Sequence, residues 1–173
     1  MHASRTAYQL VTSALPFDHV VADHLAMIRR IAAAHEADPS AREDLVQDIL
    51  CAVWRALPNF RGEGGLCAFV ARVAANRAVT HVQRALRARV SVEPVTEPAA
   101  PDPSPEAHAI ATDERETLTR ALRALPIGLR EPALLTLEGL TQREIAEALG
   151  ITPNAVAIRM MRAKSELRKL IGG

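Results

Sequence analysis

The chain is short of several things, and each shortage narrows what it can be. Its 173 residues hold two cysteines, Cys51 and Cys67, and neither belongs to a CxxC pair. The histidines show no ligand spacing with them. A disulfide framework or a structural zinc is therefore not expected, and no cofactor is implied. Cys51 is expected to pack in a core as a reduced thiol. Aromatic residues are only 3%, while Ala and Leu dominate, which favours helices over sheets. No apolar run approaches the ~20 residues of a membrane span. Near the start, Gln9, Thr12 and Ser13 interrupt the apolar residues, which argues against a signal peptide. The chain reads as cytoplasmic, with no membrane insertion. It has no internal repeat. No Ser/His/Asp set or carboxylate pair has the spacing of a catalytic site, so it does not read as an enzyme.

What is present is a charge pattern that the net charge of +1 hides. Residues 1–90 carry 11 basic and 8 acidic side chains. Residues 91–113 carry 5 acids and no base, and residues 114–173 carry 10 bases and 7 acids. Two basic ends flank an acidic middle. That middle, SVEPVTEPAAPDPSPEAHAIATD, has five prolines. It cannot bury a core and reads as a flexible acidic Pro-rich linker. At ~3.3 Å per residue it reaches at most about 75 Å.

The most informative stretch is Leu140–Leu170, which reads as a helix-turn-helix. Thr141 followed by Glu144 has capping-box spacing. Gly150 stands where a left-handed C-cap wants glycine. Thr152 caps a second helix with Pro153 at its first position. Ala146 lets the two helices cross closely, and Val156 pins the second to the first. The second helix carries Arg159, Arg162, Lys164, Arg168 and Lys169 against one acid, Glu166. A cationic helix on a rigid support suits the DNA major groove. An ordinary hairpin with a solvated basic face is the plainer alternative.

In chain order, residues 1–17 form a loose lead. Asp18–His35 is a helix, with Val21, Leu25, Ile28 and Ile31 on one side. Ser40 caps a second helix that buries Leu45, Ile49, Val53 and Leu57 and stops at Pro58. Asn59–Gly65 is a glycine-rich loop. It does not have the spacing of a nucleotide fingerprint. A third helix, about Leu66–Arg89, carries Arg72, Arg77, Arg84, Arg87 and Arg89, with His81 and no acid. That imbalance points to a polyanion. A fourth helix spans about Glu114–Leu125. A fifth spans Leu129–Gly139, with Leu134, Leu135 and Leu137 as core and Pro132 tolerable only in a first turn. The expected fold is all-α: helical domains at 18–90 and 114–173, joined by the linker at 91–113.

Two stretches carry a family resemblance. REDLVQDILCAVWRALPNFRGEGGLCAFVARVAANRAVTHVQR (Arg42–Arg84) resembles the second region of bacterial sigma factors. LRALPIGLREPALLTLEGLTQREIAEALGITPNAVAIRMMRAKSELRKL (Leu122–Leu170) resembles their fourth region. The pairing without intervening domains is similar to the small extracytoplasmic-function (ECF) group of the sigma-70 superfamily. The resemblance implies that Asp44, Leu45, Val46, Gln47, Asp48 and Arg55 dock on the clamp helices of the largest subunit of core RNA polymerase. It implies a second contact with the polymerase flap region. It assigns Phe60, Arg61, Gly62, Glu63, Gly64 and Gly65 to capture of a base flipped from the promoter −10 element. Arg72, Asn76, Arg77, His81 and Arg84 would contact the −10 duplex edge and phosphates. Thr141, Gln142, Thr152, Asn154, Ala157, Ile158, Arg159, Met161 and Arg162 would read or flank the −35 element. An anti-sigma factor is an implied partner.

The chain departs from the family pattern in places. Phe69 stands for a usual tryptophan, and Thr80-His81 for a frequent Asp-Arg pair. Asn154, Ala155, Ala157 and Ile158 replace a common glycine, threonine, lysine and serine. The rival reading is a conventional helix-turn-helix regulator that binds an operator without being a polymerase subunit. It predicts specific DNA binding by the chain alone, whereas the sigma reading predicts little without polymerase.

Overall fold

The computed structural model describes residues 16–62, 65–90 and 109–172. Seven α-helices and one 3₁₀ turn make up the described residues, with no strand among them. The lead before Pro16, the residues Glu63 and Gly64, and most of the acidic linker lie outside the described residues.

The first half is a three-helix unit: α1 (Phe17–His35), α2 (Pro39–Ala56) and α3 (Gly65–Val90), each packed on the other two. Helix α1 buries Val20, Met27, Ile28 and Ile31. Helix α2 buries Leu45, Ile49 and Val53, and Leu57 follows in the 3₁₀ turn Leu57–Asn59. Helix α3 meets them with Val70, Ala71, Ala74, Ala75 and Ala78. The run of alanines lets three helix axes approach closely without large side chains between them. The cap of α2 is not Ser40 but Asp38, whose carboxylate accepts from the Ala41 N–H at 2.8 Å. Pro39 then takes the first helical position, where a missing donor costs nothing. Cys51 is exposed rather than packed in a core. The buried stripe of α2 runs through positions 45, 49 and 53, which leaves position 51 on the opposite side of the turn.

The second half holds α4 (Ala109–Ala124), α5 (Ile127–Leu137), α6 (Gln142–Leu149) and α7 (Pro153–Ile171). Helix α4 begins five residues before the expected start, inside the stretch read as linker. Pro132 is the sixth residue of α5, not in its first turn. The carbonyl that loses its helical donor belongs to Gly128, which is exposed to water. Leu134 and Leu135 are buried as expected, but Leu137 is 56% exposed. Glu138 turns inward in its place, with a side chain only 3% exposed.

The helix-turn-helix forms as its sequence requires. The Thr141 hydroxyl and N–H both donate to the Glu144 carboxylate, at 2.7 and 2.8 Å, and the Glu144 N–H returns a bond to the hydroxyl oxygen. Gly150 adopts φ 64°. The Thr152 hydroxyl accepts from the Ala155 N–H. Gln142 donates its side-chain amide to the Pro153 carbonyl at 3.0 Å, tying the start of α6 to the start of α7. The Thr141 hydrogen bonds hold the Glu144 carboxyl below its ordinary value, against a small opposing effect of burial. A lowered carboxyl stabilises the fold above its unfolded value, and that stability is lost as pH falls through the folded value. Acid titration of unfolding should therefore lose a contribution below about pH 4.3, the ordinary Glu value. Glu144→Gln should remove that contribution. An unchanged acid limb in the variant would show that the box does not stabilise the fold.

The two halves are docked on each other. Helix α1 packs on α4, and α3 packs on α6 and α5. One continuous buried cluster runs through both halves.

Candidate functional site

Helix α2 has two sharply different sides. Leu45 and Val46 are 1% and 2% exposed and anchor the helix in the core. Asp44, Gln47, Asp48, Cys51, Trp54 and Arg55 share the exposed side. Of the six residues expected to dock on polymerase, two therefore hold the helix and four face outward. Trp54 is not among the residues expected there from the sequence, yet it is 60% exposed. The available signal was its position off the 45–49–53–57 spacing, which places the one tryptophan of the chain on the outer face.

The loop after α2 is pinned by aromatic packing. The rings of Phe60 and Phe69 lie 5.1 Å apart at 52°, and both residues are 8% exposed. The Arg72 guanidinium stands 5.5 Å from the centre of the Phe69 ring, a cation–π distance. Phe60 therefore fixes the start of the loop to the first turns of α3 and is not itself presented to solvent. Arg61 and Gly62 are exposed beyond it. Gly62 and Gly65 have φ of 78° and 76°, which a side chain would strain. Glu63 and Gly64 lie outside the described residues.

Helix α3 presents Arg72, Asn76, Arg84 and Arg87 as an exposed row at near-helical spacing. Arg77 and His81 point elsewhere. Arg77 pairs with Asp48 of α2, and His81 meets Glu36 at 2.9 Å. Burial pushes Glu36 up, but hydrogen bonds from His81 and from the Asp38 N–H outweigh it and hold the carboxyl below its ordinary value. Two of the five arginine, asparagine and histidine residues expected on the −10 duplex thus already have carboxylate partners. Cys67, in the first turn of α3, is exposed, and partial burial followed by the charges of Glu138 and Glu144 pushes its thiol up. A raised thiol is less nucleophilic, contrary to what a redox switch needs.

On α7, Asn154, Ala157, Ile158, Met161 and Arg162 are exposed, Arg159 is half-buried, and Val156 is 1% exposed against α6. Thr141, Gln142 and Thr152 are committed to caps and to the turn. They position α7. Among the described residues no three His, Cys, Asp or Glu side chains are grouped to hold a metal ion. None of the described helices is long and apolar enough to cross a membrane.

Two family models match, Sigma-70 region 2 over residues 20–88 and Sigma-70, region 4 over residues 115–167. The chain is 34% identical to the ECF RNA polymerase sigma factor ShbA of Streptomyces griseus, over 74% of this chain and 70% of that protein. The chain belongs to the ECF sigma factors of the sigma-70 family. This sigma factor is also 28% identical to the RNA polymerase sigma factor CnrH of Cupriavidus metallidurans, over 90% of its own length and 86% of that protein. It matches the probable RNA polymerase sigma factor RfaY of Xanthomonas campestris at 27%, over 36% of that longer protein. Among solved structures, CnrH in complex with the cytosolic domain of CnrY superposes with a TM-score of 0.66 over 98% of this chain and 97% of that one, at 24% identity. The sigma factor RpoE in complex with the anti-sigma factor NepR from Bartonella quintana superposes with a TM-score of 0.68 over 90% and 96%, at 21% identity. Those two show the shared fold. As a sigma factor the chain acts in transcription initiation. The two-region match does not favour a conventional operator-binding regulator.

Proposed function

We propose that this sigma factor divides its work among three faces. The outer side of α2, with Asp44, Gln47, Asp48, Trp54 and Arg55, docks on the clamp helices of core RNA polymerase. The Arg61–Gly65 loop, anchored by Phe60, and the Arg72–Asn76–Arg84 row take the −10 element. The outer side of α7 takes the −35 element. The observation that carries this is the placement of an acidic side with an exposed tryptophan and two basic rows on different elements of one chain. An anti-sigma partner is proposed from the structural neighbour RpoE, which is bound to the anti-sigma factor NepR. The chain works in the cytoplasm, where polymerase and promoter are.

The −35 face invites a finer reading. Ile158 and Met161 are 41% and 67% exposed, three residues apart on the reading helix. Apolar side chains in the major groove recognise the C5 methyl of thymine, while Arg162 suits guanine. Run-off transcription with purified chain, core polymerase and a promoter library should give discrete transcripts sharing two upstream elements. Replacing each −35 thymine by deoxyuridine, which lacks only the methyl, should weaken the wild type by roughly 1 kcal/mol. Ile158→Ala/Met161→Ala should be insensitive to the change. A wild type indifferent to deoxyuridine refutes the methyl reading alone. Specific operator binding without polymerase, and no transcripts with it, refutes the larger one.

A further inference from the structure

We propose that Arg77 belongs to the polymerase-docking site, as the positioning residue for Asp48, and not to the promoter contacts in which the family resemblance places it. The proposal rests on the reading of the outer side of α2 as the face that meets core polymerase.

Asp48 stands on that outer side, with its side chain 50% exposed. Asp44 lies one turn earlier on the same face and is exposed as well. Two carboxylates four residues apart on a helix repel each other. Without a further partner, Asp48 would turn away from Asp44 and exchange rotamers in water. Arg77 of α3 prevents this. Its guanidinium donates to the Asp48 Oδ2 at 2.5 Å, from 29 positions along the chain. That charge offsets the repulsion and fixes the carboxylate in one direction. A carboxylate has about four acceptor sites, so the half-exposed Asp48 still has room for a cationic partner.

The support behind Arg77 is rigid. Ala74, Ala75 and Ala78, its near neighbours on α3, are buried in the same cluster as Leu45, Ile49 and Val53 of α2. The two backbones that carry the pair are therefore fixed relative to each other. Arginine suits such a role because its planar fork has a set direction, whereas a lysine ammonium is a point charge on a flexible stem.

The placement of α3 also separates Arg77 from the promoter row. Asn76 and Arg77 are consecutive and stand about 100° apart around the helix. Asn76 is exposed together with Arg72 and Arg84, while the Arg77 side chain is 27% exposed and turned to α2. His81, one turn further on, repeats the arrangement by meeting Glu36 at 2.9 Å. One side of α3 is free for DNA, and the adjoining side braces the first-half unit. To reach a promoter phosphate, Arg77 would have to leave Asp48 beside Asp44 without a counter-charge. An ion pair this exposed adds little to the stability of the fold, because solvent screens it. Its effect falls instead on what Asp48 can do at the surface.

The test uses the full chain and measures binding to core polymerase and to promoter DNA separately. Arg77→Ala should weaken the hold on core polymerase about threefold to tenfold, the cost of immobilising one side chain on binding. The loss should appear as faster dissociation. Association should not slow, because removing the cation makes the docking face more acidic. The melting temperature should stay where it is, and Arg77→Lys should recover part of the affinity. With Asp48→Asn already in place, Arg77→Ala should have no further effect on core affinity, whereas independent residues would add their effects. In preassembled holoenzyme, the slope of log promoter affinity against log salt should be the same for Arg77→Ala as for wild type. Arg72→Ala should lower that slope by about 0.9, the value for one phosphate contact. A slope lowered by Arg77→Ala with core affinity intact returns Arg77 to the promoter and overturns the proposal. A tighter hold on polymerase means that the pair masks Asp48, and overturns it too. If Asp48→Asn and Trp54→Ala both leave core affinity unchanged, the reading of α2 fails and the proposal with it. If they weaken it and Arg77→Ala does not, the proposal alone fails.

Discussion

Trp54→Ala should lower affinity for core polymerase about thirtyfold while leaving the melting temperature where it was. The side chain is 60% exposed on the acidic side of α2, so its removal empties no core position. Its four buried neighbours in the helix, Leu45, Val46, Ile49 and Val53, keep α2 in place. Exposed tryptophans at binding surfaces concentrate binding energy, and truncating one commonly costs 2 kcal/mol or more, which is about thirtyfold. Trp54→Phe should recover part of the loss, because it keeps a flat apolar face. Anisotropy of a labelled chain titrated with core polymerase reads the affinity, and a thermal melt reads the fold. An unchanged affinity would remove α2 from the docking surface. A large fall in melting temperature would mean that the residue supports structure instead.

The second large effect is expected at Val156. It is 1% exposed in the buried cluster that also holds Ile145 and Ala146 of α6. Val156→Asp puts a carboxylate there with no partner, which costs about 3–5 kcal/mol. Helix α6 is eight residues long and cannot persist without its neighbour, since isolated helices below ~12 residues are marginal in water. The turn between α6 and α7 should therefore melt, and −35-dependent transcription should be lost. The first-half unit should keep its helices and its hold on polymerase. Amide exchange across 142–162 reads the melting, and transcription from promoters with and without the −35 element reads the function. Protection that survives across both helices would show that the packing of α7 on α6 does not depend on this position.

The helix-turn-helix was legible because its determinants are local. A capping box, a left-handed glycine and an N-cap followed by proline each act within four residues, and all three formed as read. The buried stripe of α2 was legible for the same reason, since helical period alone decides it. Misreadings arose where two local choices competed. Asp38 and Ser40 both offer a capping oxygen, and the proline between them selects Asp38 by occupying the first helical position. Leu137 reads as core by composition, yet the chain turns at Glu138 and Gly139, and helical phase sends Glu138 inward. Residue type alone puts Cys51 inside, since free cysteine is often buried, but helical phase overrides it there. Helix α4 starts at Ala109 because Ala109 to Thr112 carry no proline, although they share the acidic character of the stretch before them.

The expected site residues differ in placement for a related reason. Exposure of Arg72, Asn76 and Arg84 follows from period. The pairing of Arg77 with Asp48 and of His81 with Glu36 depends on how three helices cross. Arg30 meets Glu138 and His35 meets Glu131 across the two halves, yet in the sequence all four look like ordinary solvated charges. Nothing within ten residues of any of them signals a partner a hundred positions away. Trp54 could have been found from phase alone.

The buried cluster that crosses from one half to the other has a consequence for how long a molecule lasts in the cell. Parting the halves bares apolar surface on both. Local opening of that kind is what proteases read, and they act on the population that is open at any instant. A molecule at rest hides this surface in itself. The packing of the two halves on each other therefore keeps this surface out of reach of proteases for as long as it holds.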